Sequence, residues 1–206
     1  MTLLIGSEGR IGKRYQAIFR HLGEAFIPVD KETSMGNMLS LAVQVDRILL
    51  CTPTNTHYTL LKDLFAFRKP ILCEKPITKD FEELTELIDH VNKHGLDFKM
   101  VMQYKEIAQS QLPLPSIYNY FNHGPDGLYW DAMQTIGLAR GPITLGEDSP
   151  IWRCQINGEP VEFRAMDHAY VKMIDRWLAG VYEQTTLEIM NVHRKVLDLI
   201  DEQQYI

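Results

Sequence analysis

Three glycines with the spacing Gly-x-x-Gly-x-x-Gly lie between the first apolar run and the first segment of helical periodicity. Backbone N–H groups exposed at such a turn, together with the positive end of the helix dipole, can bind a pyrophosphate. We expect Gly6 to make the tight turn, Gly9 to let the backbone approach the phosphates, and Gly12 to let the helix lie close to the sheet. The loop residues assigned to a bound dinucleotide are Gly6, Ser7, Gly9, Arg10, Ile11 and Gly12.

Asp30 ends the second apolar run, roughly 20 residues after Gly9, the distance expected of a carboxylate that binds the adenosine ribose diol. Such an acid repels a 2′-phosphate, so the sequence predicts NAD as the cofactor and disfavours NADP. Two nearby cations, Lys31 and Arg10, act in the opposite direction. Glu8 has to point to solvent if a pyrophosphate binds here. The alternative is a plain strand–helix turn with a solvated Asp30.

Polar side chains also follow the third and fourth apolar runs. The segment Thr52-Pro53-Thr54-Asn55-Thr56-His57 follows one of them, and Cys73-Glu74-Lys75-Pro76-Ile77-Thr78 includes the end of the other. The carboxyl ends of parallel strands meet at the edge where open α/β sheets bind ligands. We therefore expect both segments to border the same site.

The elements that must position these residues follow from the alternation of apolar runs and helix-period segments over residues 1–103, which is typical of a parallel sheet flanked by helices. The connection between Asp30 and Arg47 has room for one helix but hardly for an additional edge strand, so we expect a sheet trimmed on that side. Strands are predicted at residues 3–6, 25–30, 47–51, 70–73 and 98–103, and helices at residues 10–22, 38–45, 57–67 and 80–94.

The pattern changes after residue 103, where prolines and a turn-rich run interrupt the chain. The predicted elements there are a helix at 128–139, a hairpin of strands 151–156 and 160–164 about Asn157-Gly158, and helices at 166–178 and 184–200. The sequence thus predicts two domains. Residues 1–103 form a Rossmann-like α/β domain that binds a dinucleotide, and residues 104–206 form a small α+β domain with an antiparallel sheet, for substrate binding or oligomerisation.

The combination of the two strand-end segments with a Gly-rich first loop resembles the Gfo/Idh/MocA family of glucose–fructose oxidoreductases and inositol dehydrogenases. The Glu74-Lys75-Pro76 motif carries most of this resemblance, which covers roughly the first half of the chain. In that family the lysine lies beside the nicotinamide and the reacting hydroxyl, and the proline usually takes a cis bond. The resemblance implies these roles for Lys75 and Pro76. An ammonium group so placed can exchange a proton with an alcohol as hydride leaves carbon.

The same resemblance implies positions for the other strand-end residues. Thr52 and Pro53 line the nicotinamide side, and Thr54 and Asn55 lie near the pyrophosphate or the ring. His57 lies near the cofactor pocket, although its place in the first turn of a helix alone favours a packing or capping role. The strand-end residues assigned to the cofactor are Thr52, Pro53, Thr54, His57, Glu74, Lys75 and Pro76.

Family members usually carry Asp-x-Gly-x-His in the first helix of a larger substrate domain. The most similar segment here keeps the acid as Asp131 but has Met133 in place of the glycine and Thr135 in place of the histidine. Asp131 is therefore predicted to orient a substrate hydroxyl, as a second catalytic residue beside Lys75. The replaced histidine leaves other side chains open as acid–base or substrate-binding groups, namely Tyr104, His123, Thr135 and His168.

Composition excludes several classes of protein. A net charge of −6 gives no basic surface for nucleic acid. Three cysteines without Cys-x-x-Cys spacing indicate reduced thiols and predict neither a disulfide framework nor a metal site. No apolar run approaches the ~20 residues of a membrane span, and the N-terminus has no signal-peptide core, so a cytoplasmic protein without membrane contact is expected.

The resulting hypothesis is an NAD-dependent oxidoreductase that acts on a secondary alcohol of a sugar, sugar nucleotide or cyclitol. A homo-oligomer is compatible with this hypothesis. The replaced histidine and the short second domain motivate an alternative, a dinucleotide-binding sensor or interaction protein without turnover. In a third, weaker alternative the glycine loop is purely structural.

Overall fold

The computed structural model describes residues 1–103, 105–106, 118–121, 133, 143–146, 154–156, 159–160 and 166–203. The chain divides into two compact units. One comprises Met1–Val101 with Gln184–Thr186, and the other comprises Met102–Glu183 with Leu187–Ile206.

The first unit is a parallel sheet in which helices connect successive strands. Its strand order is β2-β1-β3-β4-β5, with every neighbouring pair parallel. The predicted Rossmann-like sheet is therefore confirmed, and so is its trimmed side, because β2 is an edge strand. The elements are β1 (Thr2–Ile5), α1 (Arg10–Leu22), β2 (Phe26–Val29), α2 (Met35–Gln44), β3 (Arg47–Leu50), α3 (Thr54–Leu64), β4 (Ile71–Cys73), α4 (Phe81–His94) and β5 (Phe98–Met100).

Local capping explains where the helices begin. The Asp80 side chain accepts hydrogen bonds from the backbone N–H groups of the first turn of α4, which starts one residue after the predicted position. The α2 helix starts at Met35 and not at residue 38, because the Ser34 hydroxyl caps it earlier. The α3 helix starts directly after Pro53, and its last predicted turn is a separate 3₁₀ helix, Phe65–Phe67.

The inner strands β1, β3 and β4 are buried on both faces, as expected of a parallel sheet covered by helices on each side. Leu3 and Leu4 of β1 and Leu49 of β3 have no exposed surface. Tyr15 and Phe19 of α1 are equally buried and cover the sheet. Truncating one such core leucine to alanine typically costs about 2–5 kcal/mol, so this core holds the strand ends in fixed positions.

The edge strand β2 is protected against further strand addition. Ala25 and Val29 point their carbonyls toward β1, where they accept from Thr2 and Gly6 N–H. Because successive residues of a strand alternate in direction, Pro28 faces the open side, where a proline offers no N–H donor.

The described strands of the second unit form a mixed sheet of order β7-β6-β8-β9. Its hairpin pairs β8 with β9 antiparallel, as predicted from Asn157-Gly158. The predicted antiparallel pairing is observed for β6 with β8 and for β8 with β9, and the sheet differs from the prediction in one parallel pair, β6 with β7, neither of which was expected as a strand. The described elements are β6 (Tyr118–Phe121), β7 (Ile143–Gly146), β8 (Cys154–Ile156), β9 (Glu159–Pro160), α5 (Met166–Leu178) and α6 (Thr186–Gln203).

The α5 helix has a buried face that includes Tyr170, Met173, Ile174 and Trp177. Their spacing is the one that predicts an amphipathic helix from sequence. The predicted helix at 128–139 lies outside the described residues except for Met133, which is helical and buried. None of the helices in the described ranges is both long and apolar enough to cross a membrane.

Candidate dinucleotide site

The turn after β1 requires glycine at Gly6. Its φ is +94°, and a Cβ there would lie 2.8 Å from backbone atoms of Cys51 and Thr52. A side chain at this position would therefore be strained and would push the ends of β1 and β3 apart. Gly6 makes the tight turn that the sequence predicted.

Gly12 lets α1 lie against the same turn. A Cβ there would lie 2.1 Å from Gly6 O and 2.6 Å from Ser7 O, both backbone atoms that cannot move aside cheaply. Gly9, the N-cap of α1, is different, since its Cβ would meet only Gly6 O at an ordinary 3.6 Å. The chain itself therefore leaves room for a side chain at Gly9, in front of the first turn of α1.

Asp30 is held against the glycine loop. One carboxylate oxygen accepts from Glu8 N at 2.7 Å and the other from Lys31 N at 2.8 Å. The hydrogen bond from Glu8 N–H, followed by the one from Lys31 N–H, lowers the pKa of Asp30, so this group is ionised at neutral pH. Each oxygen has further lone pairs with which to accept from a ribose hydroxyl.

A cavity of about 800 Å³ opens at the carboxyl ends of β1, β2 and β3. Its volume is in the range of small-molecule and cofactor sites. Six residues that sequence reasoning placed at the cofactor line it, namely Gly6, Gly9, Asp30, Thr52, Pro53 and Asn55. The other lining residues are Ile5, Glu8, Val29, Lys31, Thr33, Met35, Met38, Cys51, Thr56, Thr59 and Leu60.

Several of these additional residues supply the apolar wall that an aromatic base needs. Met35 and Met38 come from the uncharged α2, and Leu60 comes from α3. Methionine side chains pack adaptably against aromatic rings. Sequence reasoning missed this wall, although the charge-free segment that begins α2, within a few residues of Asp30, could have indicated it.

Cys51 contributes a protonated thiol to the cavity wall. Burial raises the pKa of Cys51, with the nearby Glu74 carboxylate adding to the effect. Its sulfur lies 3.2 Å from Ile5 O, to which the thiol donates. Cys51 and Cys73 are both free thiols, as the cysteine spacing predicted for them.

The remaining assigned cofactor residues lie outside the lining of this cavity. Ser7 uses its N–H on Val29 O and its carbonyl on the Gln16 amide, so its backbone belongs to the turn. The Thr54 hydroxyl is buried and has no hydrogen-bond partner. The assigned residues that do not line the cavity are Ser7, Arg10, Ile11, Gly12, Thr54, His57, Glu74, Lys75 and Pro76.

His57 is buried behind the cavity, between the two strand-end segments. Its Nε2 lies 2.8 Å from Thr52 O, and its Nδ1 lies 3.1 Å from Pro76 O and 3.2 Å from Ile77 O. Burial lowers the pKa of His57, although all three carbonyl contacts favour the protonated ring. The sequence-based packing interpretation and the position near the pocket are thus both compatible with this location.

Glu74 is buried at the end of β4 and bonded on both oxygens. Tyr15 donates its hydroxyl to Oε1 at 2.5 Å, and Lys75 donates its backbone N–H to Oε2 at 3.1 Å. Burial raises the pKa of Glu74, against the opposing effect of the Lys75 charge. Nothing in the sequence pattern paired Tyr15 with Glu74, because the two residues lie on different elements far apart in the chain.

Lys75 is half-buried and follows β4, the strand next to the cavity-lining end of β3. The Lys75–Pro76 peptide bond is cis, as the family resemblance implied. The structure therefore brings the glycine turn, Asp30 and the Thr52 segment together at one cavity and places Lys75 at the adjacent strand end.

The predicted substrate side chains are largely outside the described residues. Tyr104, His123, Asp131 and Thr135 all lie outside them. His168 is described and is exposed in the first turn of α5, in the second unit.

An adenine dinucleotide fits the residues that are present. Two glycines without room for a Cβ shape the turn, a third leaves space in front of a helix N-terminus, and an ionised carboxylate stands at the end of β2. Residues 20–102 match the oxidoreductase family with an NAD-binding Rossmann fold, Gfo/Idh/MocA. The match confirms the predicted resemblance of the first unit to this family and the prediction of an NAD-binding Rossmann fold.

Curated relatives match this chain over short segments. The rhizopine catabolism protein MocA of Rhizobium meliloti is 39% identical over 65 residues, which is 32% of this chain and 20% of that protein. Inositol 2-dehydrogenase 1 of Mycolicibacterium vanbaalenii is 46% identical over 44 residues, 21% of this chain and 13% of that protein. The matched segments thus span well under two thirds of either relative.

A solved structure shows that the similarity in fold extends further than the similarity in sequence. The WlbA (WbpB) dehydrogenase of Thermus thermophilus, in complex with NAD and UDP-GlcNAcA, superposes with a TM-score of 0.75 at 15% identity. The superposition covers 97% of this chain and 94% of that chain. At this identity the comparison shows a shared fold.

Proposed function

We propose that this protein is an NAD-dependent oxidoreductase that transfers a hydride between nicotinamide and a secondary alcohol of a sugar, sugar nucleotide or cyclitol. The observation that carries the proposal is the Asp30 carboxylate, fixed by Glu8 N–H at the mouth of a glycine turn and beside a cavity of about 800 Å³. The similarity to an inositol dehydrogenase and to a dehydrogenase solved with a sugar nucleotide supports the substrate class.

In this proposal the cofactor is held mainly by backbone groups and one acid. The N–H groups at the start of α1 bind the pyrophosphate, with Gly9 allowing its approach. Asp30 accepts from the ribose diol and excludes a 2′-phosphate. Met35 and Met38 pack against the adenine. Thr52 and Pro53 border the nicotinamide half.

The reacting groups of the chain are a proton carrier and a hydroxyl-orienting acid. When bound, the nicotinamide supplies the hydride acceptor or donor. As the neutral amine, Lys75 takes the hydroxyl proton at Nζ during oxidation, and the ammonium group so formed returns the proton during reduction. Asp131 orients a substrate hydroxyl, with Tyr104, Thr135 and His168 as further substrate contacts. Substrate binding and homo-oligomerisation by residues 104–206, and a cytoplasmic location, are parts of the same proposal.

The second candidate function is a dinucleotide-binding sensor or interaction protein without turnover. Thr135, in place of the family histidine, favours it, because a hydroxyl of ordinary pKa is a poor acid–base catalyst at neutral pH. Both candidates require cofactor binding, so only turnover separates them.

The test is a screen of cyclitols, sugars and sugar nucleotides as substrates. Absorbance of the nicotinamide band measures the reduction of NAD. We expect turnover with at least one of these compounds, and a loss of about 10²- to 10⁴-fold in kcat for Lys75→Ala with cofactor affinity nearly unchanged. Lys93→Ala, an exposed lysine on α4, is the matched control.

Tight NADH binding without turnover on any compound would favour the sensor. Wild-type turnover by Lys75→Ala on an identified substrate would contradict the role of Lys75.

A further inference from the structure

The turn that carries Lys75 is bonded on both sides by buried side chains. On one side, the Glu74 carboxylate accepts from the Lys75 backbone N–H at 3.1 Å. On the other side, the His57 ring contacts the carbonyl oxygens of Pro76 and Ile77 at 3.1 and 3.2 Å. The backbone on either side of the lysine is therefore tied to a different part of the unit.

The two ties lead to the two helices that begin at the cavity. Glu74 is anchored by the Tyr15 hydroxyl, and Tyr15 lies on α1, directly after the glycine turn. His57 lies in the first turn of α3, and its Nε2 lies 2.8 Å from Thr52 O. Thr52 lines the cavity. The lysine turn is thus joined to both walls of the dinucleotide site.

Burial makes these contacts costly to lose. His57 has 1% exposed surface, Glu74 has 7% and Tyr15 has none. A buried polar group that loses its partner has no water to replace it, so the surrounding backbone must move to restore a hydrogen bond. The turn that carries Lys75 connects these buried groups, so a shift of its backbone moves the lysine.

We propose that His57 and Glu74 are positioning residues that hold Lys75 at the strand end beside the dinucleotide cavity. The proposal deepens the function proposed above, on which it rests for its purpose. Neither residue touches the reacting atoms. His57 sets the position of the turn relative to Thr52, and Glu74, through Tyr15, sets it relative to α1.

The neutral ring has one N–H, which donates either from Nδ1 toward Pro76 O or from Nε2 toward Thr52 O, and substitution can separate these two contacts. The amide nitrogen of an asparagine occupies the place of Nδ1, whereas that of a glutamine occupies the place of Nε2. His57→Asn therefore keeps a donor toward Pro76 O, and His57→Gln keeps a donor toward Thr52 O. Tyr15→Phe removes the anchor of Glu74 alone. Tyr58→Phe is its matched control, because Tyr58 donates to Glu86 at the same 2.5 Å on the exposed side of α3.

The readout is the reactivity of Lys75 itself, which requires neither cofactor nor substrate. A short pulse of acetic anhydride labels the lysines of the native protein, and peptide mass spectrometry measures Lys75 labelling relative to the exposed Lys93. Losing one hydrogen bond should loosen the turn and raise the relative labelling of Lys75 about two- to tenfold in His57→Gln and Tyr15→Phe. His57→Asn and Tyr58→Phe should label as the wild type does.

Thermal unfolding of each variant establishes that it is folded during the pulse. Equal Lys75 labelling in folded wild type, His57→Gln and Tyr15→Phe would overturn the proposal. So would a rise in His57→Asn with none in His57→Gln, because the Thr52 side would then hold the lysine. If His57→Gln or Tyr15→Phe fails to fold, the other of these two variants decides, since positioning predicts raised Lys75 labelling and a lower kcat with an unchanged KM for cofactor.

Failure of this proposal and failure of the proposed function give different results. An absence of NADH binding in the wild type contradicts the proposed function. The labelling result would still show whether His57 and Glu74 hold Lys75 in place. Normal binding and turnover, with no change in Lys75 labelling, contradicts only the positioning role.

Discussion

The glycine turn after β1 and the lysine turn after β4 lie at the same edge of one sheet and are built in different ways. The glycine turn depends on backbone fit, since a Cβ at Gly12 would lie 2.1 Å from Gly6 O. The lysine turn depends on buried polar side chains, His57 and Glu74, and on their partners. A turn that leaves no space for a Cβ tolerates no side chain. A turn held by several hydrogen bonds can lose them one at a time. The comparison predicts all-or-none effects at the first turn and graded effects at the second.

The largest effect is expected at the glycine turn. Gly12→Ala forces α1 away from the turn, and we expect NADH affinity to fall by at least about 100-fold, which corresponds to about 2.7 kcal/mol. The midpoint of thermal unfolding should also fall, because the clash is with backbone. Calorimetric titration and thermal unfolding measure the two effects.

Gly9→Ala is the control that separates folding from binding. Its Cβ has ordinary contact distance within the chain, so the variant should unfold near the wild-type temperature. If Gly9 faces the pyrophosphate, NADH affinity should still fall. Wild-type affinity in Gly9→Ala would remove Gly9 from the phosphate site.

An intermediate effect is expected for Asp30→Ala. Hydrogen bonds to a charged acceptor are worth about 1.5–3 kcal/mol, so NAD affinity should fall about tenfold or more. NADP should be affected less, because the variant no longer repels a 2′-phosphate. Glu32→Ala, which removes the same charge from an exposed residue nearby, is the control. An unchanged ratio of NAD to NADP affinity would remove Asp30 from the ribose site.

A smaller, pH-dependent effect is expected for Glu74→Gln. Because burial raises the pKa of Glu74 above its ordinary 4.5, the wild type loses stability as pH rises from that value through the folded pKa. The glutamine variant lacks this loss, so its free energy of unfolding relative to the wild type should increase over that range of pH. Urea unfolding at a series of pH values measures the difference.

Glu86 is the matched comparison for Glu74, because its pKa shift has the opposite direction. It also accepts from a tyrosine, Tyr58, but it is exposed, and the hydrogen bond from Lys62 lowers the pKa of Glu86. Its contribution to stability is present above the ordinary value of 4.5 and is lost as pH falls. Glu86→Gln should therefore remove a loss of stability that the wild type shows on acidification. If the pH dependence of the free energy of unfolding changes in the same direction in both variants, the environments assigned to Glu74 and Glu86 are wrong.

The smallest effect is expected for Glu8→Gln. Glu8 lines the cavity with its side chain 67% exposed, so its repulsion of a pyrophosphate is weakened by solvent. NADH affinity should rise about twofold at low salt, and the gain should vanish at high salt as the charge is screened. A gain that is independent of salt would mean that Glu8 acts by contact and not by charge.

Much of the first unit was predictable because local signals agree with the tertiary fold there. The α1 boundaries follow from Gly9 and Gly23, and the position of Asp30 follows from the length of the β1–α1–β2 unit. The role of His57 was not predictable, because its carbonyl partners at residues 76 and 77 come from another strand end. The parallel pair β6 and β7 was missed for a similar reason, since strand partners distant in sequence leave no periodic signal.

The most direct test of the account is a calorimetric titration of the purified wild-type chain with NADH and with NADPH, after removal of any cofactor retained from purification. The account predicts saturable binding of one NADH per chain and at least about tenfold weaker binding of NADPH, the factor that corresponds to about 1.4 kcal/mol. Binding of neither dinucleotide would contradict the assignment of the cavity, and a preference for NADPH would contradict the role of Asp30.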